Sequence, residues 1–257
     1  MTDSTAADPN LTQSQTQTPP SKDSPTRIST FNFFTLILNK NSKANYELAQ
    51  IMKQCLFPIA LIQEPNVYAK GLTGFSRFLT VSAPLSTARR AAIIAAKSIS
   101  MWPAPSLSSR DVAVALWKRG EIEQPIVLIS MYCQNPGNFE HLVPALNYAV
   151  SNNYQIIISG DANSHSTLWG YSAAEANDRG RAFDSFIAGY PVQCLNQGYK
   201  TTWRAGSRFS VVDVALCTSD LESQITSWKV TQNTSSDHLA LQFNIRAPPA
   251  LPQRVIA

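Results

Sequence analysis

At 257 residues, with 44% apolar and 15% charged side chains, the chain suits one globular domain with a sizeable core. Its formal net charge of +4 suits a polyanionic partner without requiring one. No apolar run approaches the ~18 residues that cross a bilayer, no signal-peptide-like stretch opens the sequence, and Cys55, Cys133, Cys194 and Cys217 are nowhere spaced as Cys-x-x-Cys, which argues against a membrane protein, a secreted disulfide framework or a zinc module and for an intracellular protein with reduced, buried thiols.

Residues 1–27 are rich in Ser, Thr, Gln, Asp and Pro and nearly free of apolar side chains. Burial cannot offset the entropy of ordering such a segment, so a disordered leader is expected. Residues 28–246 carry the folded domain, and 247–257, opening with Ala247-Pro248-Pro249, a flexible tail. There is no internal repeat. Phe33 to Leu38 reads as a buried strand, and Asn45 to Leu56 as a helix, with Leu48, Ile51, Met52, Cys55 and Leu56 at helical spacing. Strands are expected over Ile59 to Ile62, Ala91 to Ala95, Val112 to Trp117 and Ile126 to Tyr132. A helix over Phe139 to Val150 places Leu142, Leu146 and Ala149 on one face. Gln155 to Ser159 is a strand running into Gly160-Asp161, Asp178 to Ala188 a helix with Asp178 near its start, and Val211 to Leu216 and Leu239 to Ile245 are late strands. Many strands with few helices between them predict an α/β sandwich of sheets flanked by helices.

Polar residues able to bind a metal or move a proton gather just past these strands: Asn39 and Asn41, Gln63-Glu64, Tyr132, Asp161-Ala162-Asn163, and Ser236-Asp237-His238 before the last strand. Strand ends along one sheet edge are where sites form, because rigid strands position the loop residues. Each item has a plainer reading: Glu64-Pro65 as a turn, Asp161-Ala162-Asn163 as an Asx-turn, Asp237-His238 as a structural pair, Asn41 as the close of a strand. Asp213 differs, because it interrupts the apolar run Val211 to Leu216. Unpaired burial there would cost several kcal/mol, and a histidine is the natural partner.

In sequence order, Asn39, Glu64, Tyr132, Gly160-Asp161-Ala162-Asn163, Asp213 and Ser236-Asp237-His238 resemble the endonuclease/exonuclease/phosphatase superfamily. The resemblance runs from about residue 30 to 245. It is strongest to the apurinic-endonuclease-like endonuclease domain of non-LTR retrotransposons, through Gly160-Asp161-Ala162-Asn163-Ser164-His165, Leu168-Trp169-Gly170, Asn177-Asp178-Arg179-Gly180, Thr202-Trp203, Ser236-Asp237-His238-Leu239 and Arg90-Ala91-Ala92-Ile93.

That resemblance implies a four-layer sandwich of two mixed β-sheets flanked by α-helices. It implies a metal-dependent endonuclease that nicks DNA, as for target-primed reverse transcription. Glu64 is then the main carboxylate ligand of a divalent ion, with Asn39 at the metal or its water shell and Asp237 binding or orienting it. Magnesium, or manganese in its place, suits oxygen donors. Asp161 orients or deprotonates the attacking water, Asn163 donates to the phosphate, His238 stabilises charge building there, and Asp213 holds the His238 tautomer. Tyr132 and Asn177 match phosphate or leaving-group positions. Thr202 and Ser236 match supporting hydrogen-bond positions around the substrate, and Arg179 and Arg204 are candidate phosphate contacts, with Lys40, Lys43, Arg89, Arg90, Arg181, Lys200 and Arg208 as further basic residues near the site loops. His165 reads as structural or DNA-facing, and Trp203 as core or as packing beneath the site. DNA is the implied partner of a monomer acting in the nucleus, alongside a reverse transcriptase supplied by the parent element. Only a short tail follows Ile245, so an isolated domain, a truncated copy and an independent nuclease are all open. The alternatives are a phosphatase of the same superfamily acting on small phosphorylated substrates, and an inactive nucleic-acid-binding remnant.

Overall fold

In the computed structural model, residues 30–68, 71–82, 89–120, 123–134, 139–232 and 234–247 are described. The expected leader and nearly all of the expected tail lie outside them. The strands are β1 (Thr30–Ile37), β2 (Pro58–Gln63), β3 (Val67–Tyr68), β4 (Gly71–Leu72), β5 (Leu79–Ser82), β6 (Ala91–Ala95), β7 (Met101–Pro103), β8 (Val112–Trp117), β9 (Ile126–Tyr132), β10 (Gln155–Asp161), β11 (Val192–Cys194), β12 (Trp203–Ala205), β13 (Arg208–Ser210), β14 (Asp213–Thr218), β15 (Ile225–Thr231) and β16 (Ala240–Arg246). The helices are α1 (Ser42–Lys53), α2 (Val143–Ser151), α3 (Asp178–Ile187) and the single turn α4 (Ser219–Glu222). None of the helices is long and apolar enough to cross a membrane among the described residues.

Two six-stranded sheets form, in the orders β15-β16-β1-β2-β6-β5 and β11-β14-β10-β9-β8-β7. Both are mixed: β1 with β2, and β9 with β10, are parallel, and their other pairings are antiparallel. The period-2 alternation of a strand decides what each face meets. In β2, Ile59 and Leu61 face the second sheet and join Trp117, Leu128 and Ile157 in the central core. Ala60 and Ile62 face outward and pack with Leu48 and Met52 of α1. On the far side, Val127, Ile129, Ile156 and Ile158 meet Leu146 of α2 and Phe183 of α3. The layers run helix, sheet, sheet, helix, and the predicted α/β sandwich is the fold observed.

Helix α1 starts and stops three residues before the predicted span. The Asn41 side chain accepts from the Lys43 and Ala44 amides, so Asn41 is a helix cap, and Cys55 and Leu56 fall past the helix end. Strands β5, β7, β11 and β15 have no counterpart in the sequence reading. They are short or lie at sheet edges, where half-exposed residues blur the alternation.

Candidate active site

Register places the site. Asp161, the last residue of β10, lies opposite Tyr132 of β9 on one side and Asp213 of β14 on the other. Residues paired across adjacent strands share a face, so three chemically active side chains stand in one row at the end of the second sheet. At the matching end of the first sheet, Ile37 pairs with Gln63, and the chain leaves β1 and β2 through Asn39 and Glu64. Asn39, Lys40, Glu64 and Asn163 all have positive φ (46°, 54°, 44° and 46°). Such backbone costs ~1–3 kcal/mol per non-glycine residue and persists only where its surroundings hold it. At Glu64 the hold is visible, because its amide donates to the Arg90 carbonyl (2.8 Å) and its carbonyl accepts from the Lys40 amide (2.7 Å).

The loop before β16 closes the site against both sheets. The Ser236 hydroxyl donates to the Ile37 carbonyl (2.6 Å) and accepts from the His238 amide (3.1 Å). His238 Nδ1 lies 2.9 Å from Asp213 Oδ2, the partner expected for a carboxylate inside an apolar strand. The buried Thr202 hydroxyl accepts from the amides of Val212 (3.0 Å) and Asp213 (3.1 Å). Asp237 accepts from the Asn39 amide on Oδ1 (3.3 Å) and from the Trp203 indole on Oδ2 (3.0 Å), so Trp203 lies beneath the site.

Burial shapes the electrostatics. It raises the Asp161 carboxyl well above the carboxylate range, the Asp213 charge adds to this, and His238, the Asn163 amide (2.6 Å to Asp161 Oδ1) and Arg179 oppose it. At His238 burial pulls the imidazole down, but the Asp213 charge and hydrogen bond, with Asp161 and Asp237 behind them, raise it to about 9. The ring is therefore an imidazolium at neutral pH. Tyr132 is held a neutral phenol by burial and by the charges of Glu64 and Asp161. The Arg90 guanidinium, 5.0 Å above the Tyr132 ring, pairs with both Asp111 oxygens.

Several residues expected at the substrate also bond within the protein. Thr202 and Ser236 are buried and spend their hydroxyls on the backbone. Asn177 caps α3, accepting from the Gly180 (2.8 Å) and His165 (3.2 Å) amides. Arg179 donates to the carbonyls of Ala162 and Cys133, clamping the ends of β10 and β9 together. Arg90 is buried in its ion pair, Arg181 bonds Asp178 and the Ala176 carbonyl, Lys43 pairs with Glu47, and Lys200 lies over Trp228. Arg204 and Arg208 stand exposed on the β12–β13 hairpin, and Lys40 is exposed 3.9 Å from Glu64. The His165 ring stacks on Tyr171 at 4.3 Å.

Sequence reasoning passed over a polar strut between the sheets. Gln63 Nε2 donates to Ser130 Oγ (2.9 Å), Ser130 Oγ to the Ile62 carbonyl (3.0 Å), Thr35 Oγ1 to Ser159 Oγ (2.7 Å), and Ser159 Oγ to the Val214 carbonyl (2.7 Å). All four residues are buried, and the strut fixes the distance between the strand ends that carry Glu64 and Asp161. The signal was available, since each is a polar residue inside an apolar strand, the same feature that marked Asp213. Gly160 belongs to this packing. A Cβ there would sit 1.9 Å from the Met131 carbonyl oxygen and 2.9 Å from Gln63 Nε2, at a φ of +153°. Gly160→Ala should therefore force β9 and β10 apart and lower stability by about 3 kcal/mol, the upper end for overpacking. An unchanged denaturant midpoint for the variant would contradict this.

The fold has counterparts among known proteins. A family model described as endonuclease-reverse transcriptase matches residues 126–242, which contain Tyr132, Asp161, Asn163, Asp213 and His238. The endonuclease domain of TRAS1, a telomere-specific non-LTR retrotransposon, superposes with a TM-score of 0.71 at 26% identity, covering 85% of this chain and 99% of that one. The chain has the endonuclease/exonuclease/phosphatase fold. It is a nuclease domain of that fold, similar to a retrotransposon endonuclease. An apurinic endonuclease from Leishmania major (TM-score 0.62, 16% identity, 86% of this chain and 89% of that one) and a 3′-5′ exonuclease from Neisseria meningitidis (0.60, 14%, 84% and 99%) share the superfamily fold. No curated protein sequence matches the chain.

Proposed function

We propose that the chain is a magnesium-dependent DNA endonuclease that hydrolyses one phosphodiester bond to leave a nick. The observation that carries this reading is the pairing of His238 with Asp213 beside Asp161, opposite Glu64 and Asn39 on the facing sheet. Asp161 is the base. It takes a proton from water as the water oxygen attacks phosphorus, and a carboxyl raised toward neutral pH is suited to that task. His238 commits Nδ1 to Asp213 and presents Nε2, as an imidazolium, to the non-bridging oxygen where charge builds. Asn163, turned by its positive φ, donates to the same phosphate. The P–O3′ bond breaks, and the neutral Tyr132 phenol is suited to protonate the departing oxygen, leaving a 3′-hydroxyl.

The donor set fits a hard divalent cation. Glu64 offers a carboxylate, and Asn39, whose Nδ2 is engaged by Asp237, offers its amide oxygen. Both Asp237 oxygens already accept hydrogen bonds, which suits Asp237 to orienting Asn39. Glu64 and Asn39 would hold the cation, and so small a set of protein oxygens would suit magnesium, which keeps several waters. Magnesium or manganese bound there supplies charge neutralisation at the phosphate. We propose further that the domain acts as a monomer on nuclear DNA, and that a reverse transcriptase of its parent element extends the 3′-hydroxyl.

Nicking of supercoiled plasmid, run beside release of phosphate from inositol phosphates, tests the reading. Nicking should cease on chelation and return with magnesium or manganese. Glu64→Gln, which keeps shape and removes charge, should require far more metal for half-maximal rate. Undiminished nicking in excess chelator, or activity confined to inositol phosphates, would overturn it.

A further inference from the structure

A second surface adjoins the site on the α1 side. Tyr46, Gln50 and Lys53 of α1 face Tyr68, Gly74 and Arg77 of the β2–β5 connection across a cavity of about 440 Å³. Among the described residues, no aspartate or glutamate lines it. Tyr46 is 54% and Tyr68 45% exposed, and Lys53 and Arg77 are exposed beside them. The two walls are fixed to each other. Buried Asn45 donates to the carbonyls of Asn66 (3.2 Å) and Thr73 (3.0 Å), and Thr73 Oγ1 donates to Asn66 Oδ1 (2.6 Å). The Gly74 backbone lies so close to α1 that a Cβ would meet the Asn45 carbonyl and the Tyr46 ring at 3.3 Å. Asn66 also donates to the Lys40 carbonyl (3.0 Å), which joins this cradle to the turn carrying Asn39 and Lys40.

We infer that this cradle is a stacking platform for unpaired DNA leaving the active site. Two presented aromatic rings between two cations, with no opposing carboxylate among the described residues, match the π-faces and phosphates of a single strand, whereas the bases of an intact duplex are already stacked on one another. Continuity with Lys40 gives the direction, since a strand seated at Glu64 passes Asn66 to reach Tyr68 and Tyr46. Rigid walls lower the entropy lost on binding. The inference rests on the DNA-nicking reading and extends it to the flank of the cleaved strand.

Fluorescence anisotropy with a labelled oligodeoxythymidine of about 10 nucleotides tests it. Tyr46→Ala and Tyr68→Ala should each weaken binding roughly tenfold, while Tyr46→Phe and Tyr68→Phe retain it. The double variant Lys53→Gln, Arg77→Gln should flatten the salt dependence by ~1.4, at ~0.7 per lost phosphate contact. A blunt duplex should bind wild type and tyrosine variants alike. Wild-type affinity in the double alanine variant, equal losses for blunt duplex and oligonucleotide, or tighter wild-type binding of the corresponding RNA would each overturn the platform. Plasmid nicking read in parallel separates the two ideas. Nicking with tyrosine-independent binding strikes the platform alone, and tyrosine-dependent binding without nicking strikes the catalytic reading alone.

Discussion

His238→Ala should cut the single-turnover nicking rate ~100- to 1000-fold, the usual cost of removing one preorganised donor to a charge that develops in the transition state. The reason lies in how the imidazole is held. Nδ1 is fixed to Asp213 Oδ2 at 2.9 Å, Asp213 is fixed by Thr202 through its own amide, and the His238 amide is fixed by Ser236, which is anchored to the end of β1. Ring, tautomer and charge are set before substrate arrives. Asp213→Asn should also lose most activity, because a neutral amide neither holds the imidazolium nor selects its tautomer. The double variant should be little worse than His238→Ala, since the two residues act as a unit. Single-turnover rates for both single variants and the double decide the matter, and fully additive losses would mean independent action.

Asp161→Asn should abolish most nicking and yet stabilise the metal-free protein above neutral pH. Loss of a general base costs ~100- to 10,000-fold. The stability effect follows from linkage. The folded Asp161 carboxyl is raised from 3.8 to about 8, so its contribution is fully present below about pH 3.8 and is lost as pH rises through about 8. His238 has the same sign: raised from 6.5 to about 9, it contributes below about pH 6.5, and that contribution is lost as pH rises through 9. The wild-type thermal midpoint in chelator should therefore fall between weakly acid and alkaline pH. Asparagine at 161 carries no charge to bury, so the variant should melt with the wild type near pH 4 and above it at pH 8.5. Each ~1 kcal/mol is worth ~2–4 °C at this size. A variant that melts below the wild type across the whole range would show that the buried carboxylate stabilises the fold, and the assignment of Asp161 as the strained base would fall.

Both predictions concern residues that were visible in the sequence, and it matters why. Asp213 was legible because a carboxylate inside Val211 to Leu216 needs a partner wherever the strand lies. Asp161, Glu64 and Asn163 were legible because they follow apolar runs. Thr202 and Ser236 were legible as supporting hydrogen-bond residues, but the internal partners of Arg179 and Asn177 were not. Whether a guanidinium reaches a phosphate or two carbonyls depends on what stands within a few ångströms of it. In the folded chain Arg179 finds Ala162 and Cys133, and Thr202 finds the amides of residues 212 and 213. Short edge strands such as β11 and β15 escaped notice because they exist through their pairing with β14 and β16 rather than through a pattern of their own.

By itself, the sequence determined the α/β layering, since continuous apolar runs such as Ile59 to Ile62 must bury both faces and so demand a sheet on one side and a helix on the other. It also determined which residues have the chemistry to act, because side-chain type is local information. Only the tertiary structure decided which of them act together. Glu64 and Asp161 lie on different sheets, and their spacing is held by Gln63, Ser130, Thr35 and Ser159, hydrogen-bonded across the sandwich from strands far apart in the chain. Contacts of that sequence separation are products of register and packing, and no local pattern of residues encodes them.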